Sequence, residues 1–185
     1  MRRIGLLAGS FNPIHAGHLH VARAALRALR LDQVWLLVSP GNPLKPRAGM
    51  APFAERFEGA VRRADGVRII ASDAEARLGL RFTHRTLARL RQMYPRDCFV
   101  LIIGADNLQQ LPKWRRWREI VAHTPLAVLP RPGFTRQALR GQAASVMRHG
   151  RKTPARLAEQ ERGWALVPAA ERAISATAIR AAALH

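Results

Sequence analysis

The chain runs from a short apolar stretch, Ile4-Gly5-Leu6-Leu7-Ala8, through Gly9-Ser10-Phe11-Asn12-Pro13 into a helical pattern that starts near His18. No other feature limits the fold as much. A short run that is apolar throughout suits a strand covered on both faces. Over residues 18–30, Leu19, Ala22, Leu26 and Leu29 share one face while Arg23, Arg27 and Arg30 share another, which predicts an amphipathic helix. A second buried-type strand follows at residues 34–38. Strand, helix and strand in so short a span predict a right-handed βαβ unit. The turn between the first strand and the helix is also a ready anion site, because a helix start offers unpaired N–H groups and partial positive charge. His15 and His18, three residues apart, are placed to face one bound group.

The alternation continues. A helix is expected over residues 52–64 with Phe53, Phe57, Ala60 and Val61 as its core stripe, and a strand over 67–71 after Asp65-Gly66. Thr83 reads as the N-cap of a helix reaching Tyr94, with Leu87, Leu90 and Tyr94 inward, ended by Pro95. Residues 98–103 give the strongest strand signal, 126–129 a fifth strand, and 164–167 a short last one. Short helical segments carry Trp114 and Trp117 between them, and a terminal helix begins at Ile174. Residues 134–163 are basic, Ala-rich and weakly periodic, expected helical with a loose tip near Gly150. The fold class is therefore α/β: a Rossmann-like, doubly wound, mostly parallel sheet of five to six strands flanked by helices. Residues 1–185 make a single domain with a variable basic segment at about 134–163.

The charge needs a separate account. Thirty-one Lys and Arg against twelve Asp and Glu give a net +19. There is no acidic residue from Ile120 to Ala158. No nucleic-acid-binding motif accompanies this charge, so solvated helix faces and a positive field for a small anionic substrate explain it better than a nucleic-acid partner. Cys98 is the lone cysteine; it excludes an internal disulfide and a multi-cysteine zinc site and is expected as a small buried hydrophobe. The apolar run after Met1-Arg2-Arg3 is too short for a secretory leader, and no stretch has the length of a membrane span, so a cytoplasmic protein without membrane association is expected.

Neither a G-x-x-x-x-G-K-[ST] nor a G-x-G-x-x-G pattern occurs, which sets aside a P-loop NTPase and a nicotinamide dehydrogenase. With no carboxylate or cysteine near His15, His18 and His20, a transition-metal site is not expected, and no metal ligand is assigned to a protein side chain. Lys45 stands in a loop stiffened by Pro40, Pro43 and Pro46 at the ligand edge of the second strand.

Two motifs carry a resemblance. Gly9-Ser10-Phe11-Asn12-Pro13-Ile14-His15-Ala16-Gly17-His18 resembles the G-[ST]-F-[DN]-P-x-H-x-G-H signature of the nucleotidylyltransferase superfamily. Ile174-Ser175-Ala176-Thr177-Ala178-Ile179-Arg180 resembles its second signature, I-S-x-T-x-x-R. Asn42-Pro43-Leu44-Lys45-Pro46, Phe82-Thr83, Ile103-Gly104-Ala105-Asp106, Leu111-Pro112-Lys113-Trp114 and Arg131-Pro132-Gly133 are similar to segments of the bacterial nicotinate-nucleotide adenylyltransferases. Arg115 is a departure, since relatives often have an aromatic after the tryptophan.

The resemblance implies transfer of AMP from ATP to nicotinate mononucleotide, giving deamido-NAD and pyrophosphate, with Mg²⁺ carried by ATP. It implies His15, His18 and Arg180 as catalytic, with Gly9, Ser10, Phe11, Gly104, Asp106, Ser175 and Thr177 joining them around ATP. For the mononucleotide it implies Ser10, Phe11, Asn12, Lys45, Thr83, Trp114 and Arg131. The same reaction on nicotinamide mononucleotide, or on both, is the near alternative. A basic nucleic-acid-binding protein on the same fold with the chemistry lost is the distant one. A homo-oligomer is left open. The chemistry is consistent with these residue types. A mononucleotide phosphate has its second pKa near 6 and is already ionised at neutral pH, so it needs donors and position rather than a base.

Overall fold

The computed structural model describes residues 1–41, 49–158 and 162–170. Strand β1 (Arg3–Gly9) leads through helix α1 (Ala16–Ala28) to β2 (Gln33–Val38), and helix α2 (Phe53–Arg63) leads on to β3 (Ile69–Ser72). Helices α3 (Ala74–Arg77) and α4 (Thr83–Met93) carry the chain across to β4 (Cys98–Gly104). Beyond it come α5 (Ala105–Gln110), the 3₁₀ turn Leu111–Lys113, α6 (Trp117–His123) and β5 (Leu126–Leu129). Helices α7 (Thr135–Leu139), α8 (Gln142–Val146) and α9 (Pro154–Ala158) precede β6 (Trp164–Leu166).

The six strands lie in the order β3-β2-β1-β4-β5-β6 and every pair is parallel. The order turns back between β1 and β4, so a crevice opens there at the carboxyl ends of the strands, where ligands bind in sheets of this kind. Strand residues alternate between two cores. Val100 and Ile102 of β4 join the core that includes Leu19, Ala22, Leu26 and Leu29 of α1. Phe99, Leu101 and Ile103 join Leu87 and Leu90 of α4 and Trp117 of α6 on the opposite face. A Cβ at Gly5 would sit 2.6 Å from Ile102 Cδ1 and 2.8 Å from Leu31 Cδ1, so glycine there lets the chain leaving α1 close onto the sheet.

Several expected boundaries move, each for a local reason. Helix α1 starts at Ala16, two residues early, because His15 caps it. Strand β3 starts at Ile69 because Asp65 Oδ1 accepts from the N–H groups of Val67, Arg68 and Ile69 at 2.7–2.9 Å, which holds those residues in a turn. Thr83 is the first residue of α4, and Phe82 is its cap. On α2, Val61 is 51% exposed while Arg56 is buried. Cys98 is half-buried, and β6 ends at Leu166. Near Gly150 the chain forms a 3₁₀ turn, Arg148–Gly150, followed by a bridge from Arg151 to Trp164, in place of a loose tip. The predicted terminal helix from Ile174 and the site residues Lys45, Ser175, Thr177 and Arg180 lie outside the described residues. Among the described residues no helix is long and apolar enough to cross a membrane.

Candidate active site

The two histidines build the start of α1 from their own side chains. His15 is the N-cap, and its Nδ1 accepts from the Gly17 N–H at 3.1 Å. His18, three residues on, returns the favour to the cap: its Nδ1 accepts from the His15 N–H at 3.2 Å. This is a capping box with imidazoles in the places usually held by a hydroxyl and a carboxamide or carboxylate. The rings lie 3.8 Å apart at 32°, and the Phe11 ring meets His18 edge-on at 4.9 Å. Both Nδ1 atoms accept, so a neutral ring carries its proton on Nε2. Burial holds the His15 pKa below its ordinary 6.5, and the charges of Arg131 and Arg63 lower it further.

The turn before the helix is held from behind. Phe11 is buried with φ at +45°, a conformation that costs a bulky residue roughly 1–3 kcal/mol and persists only where its surroundings enforce it. The enforcement comes from Arg56 and Asn12. Buried Arg56 donates to Ser10 O at 2.6 Å, Ser39 O at 2.8 Å and Ala51 O at 3.0 Å, tying the ends of β1 and β2 to the start of α2. Asn12 donates to Gly49 O at 3.0 Å and accepts from the Ala51 N–H at 3.2 Å. Asn12, expected on the mononucleotide, is thus 8% exposed with its amide engaged by backbone.

At the end of β4, Gly104 caps α5 and Asp106 lies in its first turn. A Cβ on Gly104 would collide with Asp106 Oδ1 and stand 3.1 Å from Arg131 Nε, so glycine permits this approach. Asp106 Oδ1 and Arg131 Nε are 3.7 Å apart, both buried and neither hydrogen-bonded. Polar atoms buried in this way are usually satisfied, and here the two face each other as an ion pair without a hydrogen bond. The influence of Arg131 on His15 places the two groups within one field.

Beside this pair, a cavity of about 260 Å³ opens at the ends of β1 and β4. Gly9, Ser10, Thr83 and Trp114 line it, and so do Arg81, Phe82, Lys113, Arg115 and Glu75. Trp114 is half-buried, one side against the core and the other on the cavity. Glu75 is buried, and its Oε1 accepts from the Thr86 hydroxyl at 2.9 Å. Burial raises its pKa, with the Thr86 bond opposing the shift. His15, His18, Asp106 and Arg131 stand outside this lining. The site thus has two parts, a wall of histidine and Arg131 donors and a basic cavity with an aromatic side.

Sequence reasoning missed Arg56, Glu75, Arg81 and the cavity role of Arg115. One signal for Arg56 was present: with Phe53, Phe57 and Ala60 it falls on the same stripe of α2. Glu75 had none, because its partner lies on a different helix. Among the described residues there is no cluster of three or more His, Cys, Asp or Glu able to hold a metal ion.

Comparison with known proteins gives a consistent picture. A model of the cytidylyltransferase-like family matches residues 6–182. The chain is 60% identical to a probable nicotinate-nucleotide adenylyltransferase of Gluconobacter oxydans, over 96% of this chain and 93% of that protein. It is 53% identical to one of Gluconacetobacter diazotrophicus, over 99% and 87%. Among solved structures it resembles the Plasmodium falciparum nicotinic acid mononucleotide adenylyltransferase complexed with NaAD, with a TM-score of 0.71 at 16% identity over 98% of this chain and 83% of that one. That likeness is one of fold.

Proposed function

The chain belongs to the cytidylyltransferase-like family, beside the nicotinate-nucleotide adenylyltransferases that it matches over nearly their whole length, and from this we propose that it transfers AMP from ATP to nicotinate mononucleotide. The products are deamido-NAD and pyrophosphate. An oxygen of the mononucleotide phosphate attacks the α-phosphorus of ATP in line; the new P–O bond forms as the bond to the pyrophosphate oxygen breaks. The nucleophile is ionised and gives up no proton, so the protein positions two anions and receives the charge that builds on the leaving group.

The observation that carries this reading is the reciprocal histidine cap. It fixes both rings at a helix start through their Nδ1 atoms, and burial keeps the His15 pKa below its ordinary value, so a neutral His15 offers an Nε2–H donor and no base. In this proposal they meet the ATP phosphates at the N-terminus of α1. Asp106 and Arg131, each with an unsatisfied buried atom, take a ribose hydroxyl and a phosphate oxygen. Gly9 and Ser10 form the floor beside buried Phe11, and Trp114 stacks on the pyridine ring above Thr83 at the start of α4. Lys45, Ser175, Thr177 and Arg180 complete the set on the strength of the sequence motifs. A bond from the His20 ring to Ala170 O at 3.0 Å brings the chain back to α1 a few residues before the second motif, which supports their convergence. Mg²⁺ carried with ATP would offset phosphate charge.

The test is pyrophosphate release from Mg-ATP with nicotinate mononucleotide, nicotinamide mononucleotide or neither. Release with the first and much less with the second is expected. No release with the first removes the proposal, and equal release with both removes the substrate preference.

A further inference from the structure

The cavity is more basic than positioning a pyridine ring requires. Arg81, Lys113 and Arg115 open onto it, and its buried acid, Glu75, already accepts from Thr86. Of these cations Arg115 has a distinct setting. Its guanidinium carbon lies 5.2 Å from the centroid of the Phe82 ring, within the range of a cation–π contact. Phe82 is the cap of α4, whose first residue is Thr83, and Arg115 directly follows Trp114. The cap makes no side-chain hydrogen bond, so the helix presents its opening N–H groups without a competitor from Phe82. Among the described residues Arg115 has no ion pair, whereas neighbouring Arg116 is paired with Glu119 at 3.4 Å.

We propose that Arg115, laid on the Phe82 ring beside Thr83 and Trp114, selects an acid over an amide on the bound pyridine ring. This rests on the adenylyl-transfer reading and names the residue that sets its specificity. A guanidinium that meets a ring with its face keeps its N–H edge for a carboxylate, which it can bind with two parallel bonds. A carboxamide cannot answer in the same way. It offers one oxygen, and its NH₂ group then faces further donors, so discrimination comes as much from the mismatch as from the match.

The experiment measures kcat/KM with nicotinate and nicotinamide mononucleotides at saturating Mg-ATP, for the unaltered chain and for Arg115→Gln, Arg115→Lys and Phe82→Leu. Removing a charge-assisted pair should lower the acid-to-amide ratio about 10- to 100-fold in Arg115→Gln, mostly through KM for the acid. Arg115→Lys should recover only part of the ratio, because an ammonium neither forks nor lies flat on a ring. Phe82→Leu should lower the ratio by less than Arg115→Gln. A poorly folded variant loses activity on both substrates alike and leaves the ratio alone. An unchanged ratio in Arg115→Gln, with the unaltered chain still preferring the acid, overturns the role of Arg115 and leaves the function standing. Absence of turnover with either mononucleotide overturns both.

Discussion

In our proposal His15 does two jobs with one ring: Nδ1 caps α1 and Nε2 donates to a phosphate. The two can be separated. Asparagine is a good N-cap, so His15→Asn should keep the helix start and lose the donor. We expect kcat to fall about 100- to 1000-fold, the usual cost of one such donor, with Tm almost unchanged. A variant that melts far below the parent would place the residue with structure and not with chemistry. Arg56 is the opposite case. Arg56→Leu leaves four backbone carbonyls without their donor and should cost about 2–4 kcal/mol, read as a lower denaturation midpoint at constant m-value. A loss under 1 kcal/mol would show that water replaces the guanidinium. At this scale the sequence pointed to residues held in contiguous motifs, such as Gly9, Ser10, His15 and His18, and the fold sets Gly9 and Ser10 on the cavity and the two histidines at the start of α1. It was silent on Glu75, whose meaning depends on a residue brought to it by the fold.

Elements were legible where apolar periodicity ran long enough. The alternation of strands and helices, the inward face of α1 and the burial of Trp117 follow the pattern of the chain. Boundaries were not, because single side chains decide them: His15 starts α1 early and Asp65 delays β3. Residues 134–163 were illegible for a different reason. Helices α7, α8 and α9 have five residues each, too few to show a period, and the first two bury alanines, Ala138, Ala143 and Ala144, that carry little hydrophobic signal. The bond from Thr86 to Glu75 joins α4 to α3 beside the cavity, and it makes a pH-dependent prediction. Burial raises the pKa of Glu75 above the ordinary 4.5, so the folded chain holds this proton more tightly than the unfolded chain does. The group therefore costs nothing below pH 4.5 and progressively destabilises the fold as pH rises through its folded value. Glu75→Gln keeps an acceptor for Thr86 without the charge. It should melt higher than the parent at pH 7.5 and equal to it near pH 4; an equal difference at both would discard the account.

Over the whole molecule, a net charge of +19 surrounds a site that binds two anions in our proposal. Such a field speeds encounter and is screened by salt, so kcat/KM for the mononucleotide should fall steeply between about 0.05 and 0.5 M salt while kcat changes little. A flat profile would assign the charge to some other purpose. The doubly wound order contributes differently: it sets β1 beside β4, so that motifs almost a hundred residues apart in sequence share one crevice.

The histidine cap has one further consequence. Each of its bonds joins an amide nitrogen to an imidazole nitrogen through a single proton, at His15 and at Gly17. Nitrogen pairs of this kind are magnetically coupled across the hydrogen, so the readiness of the site can be followed by resonance in the resting molecule, before any nucleotide is added. A proton taken up on either Nδ1 would erase the signal at its own bond. Helix nucleation and catalytic readiness would then be lost as a single event.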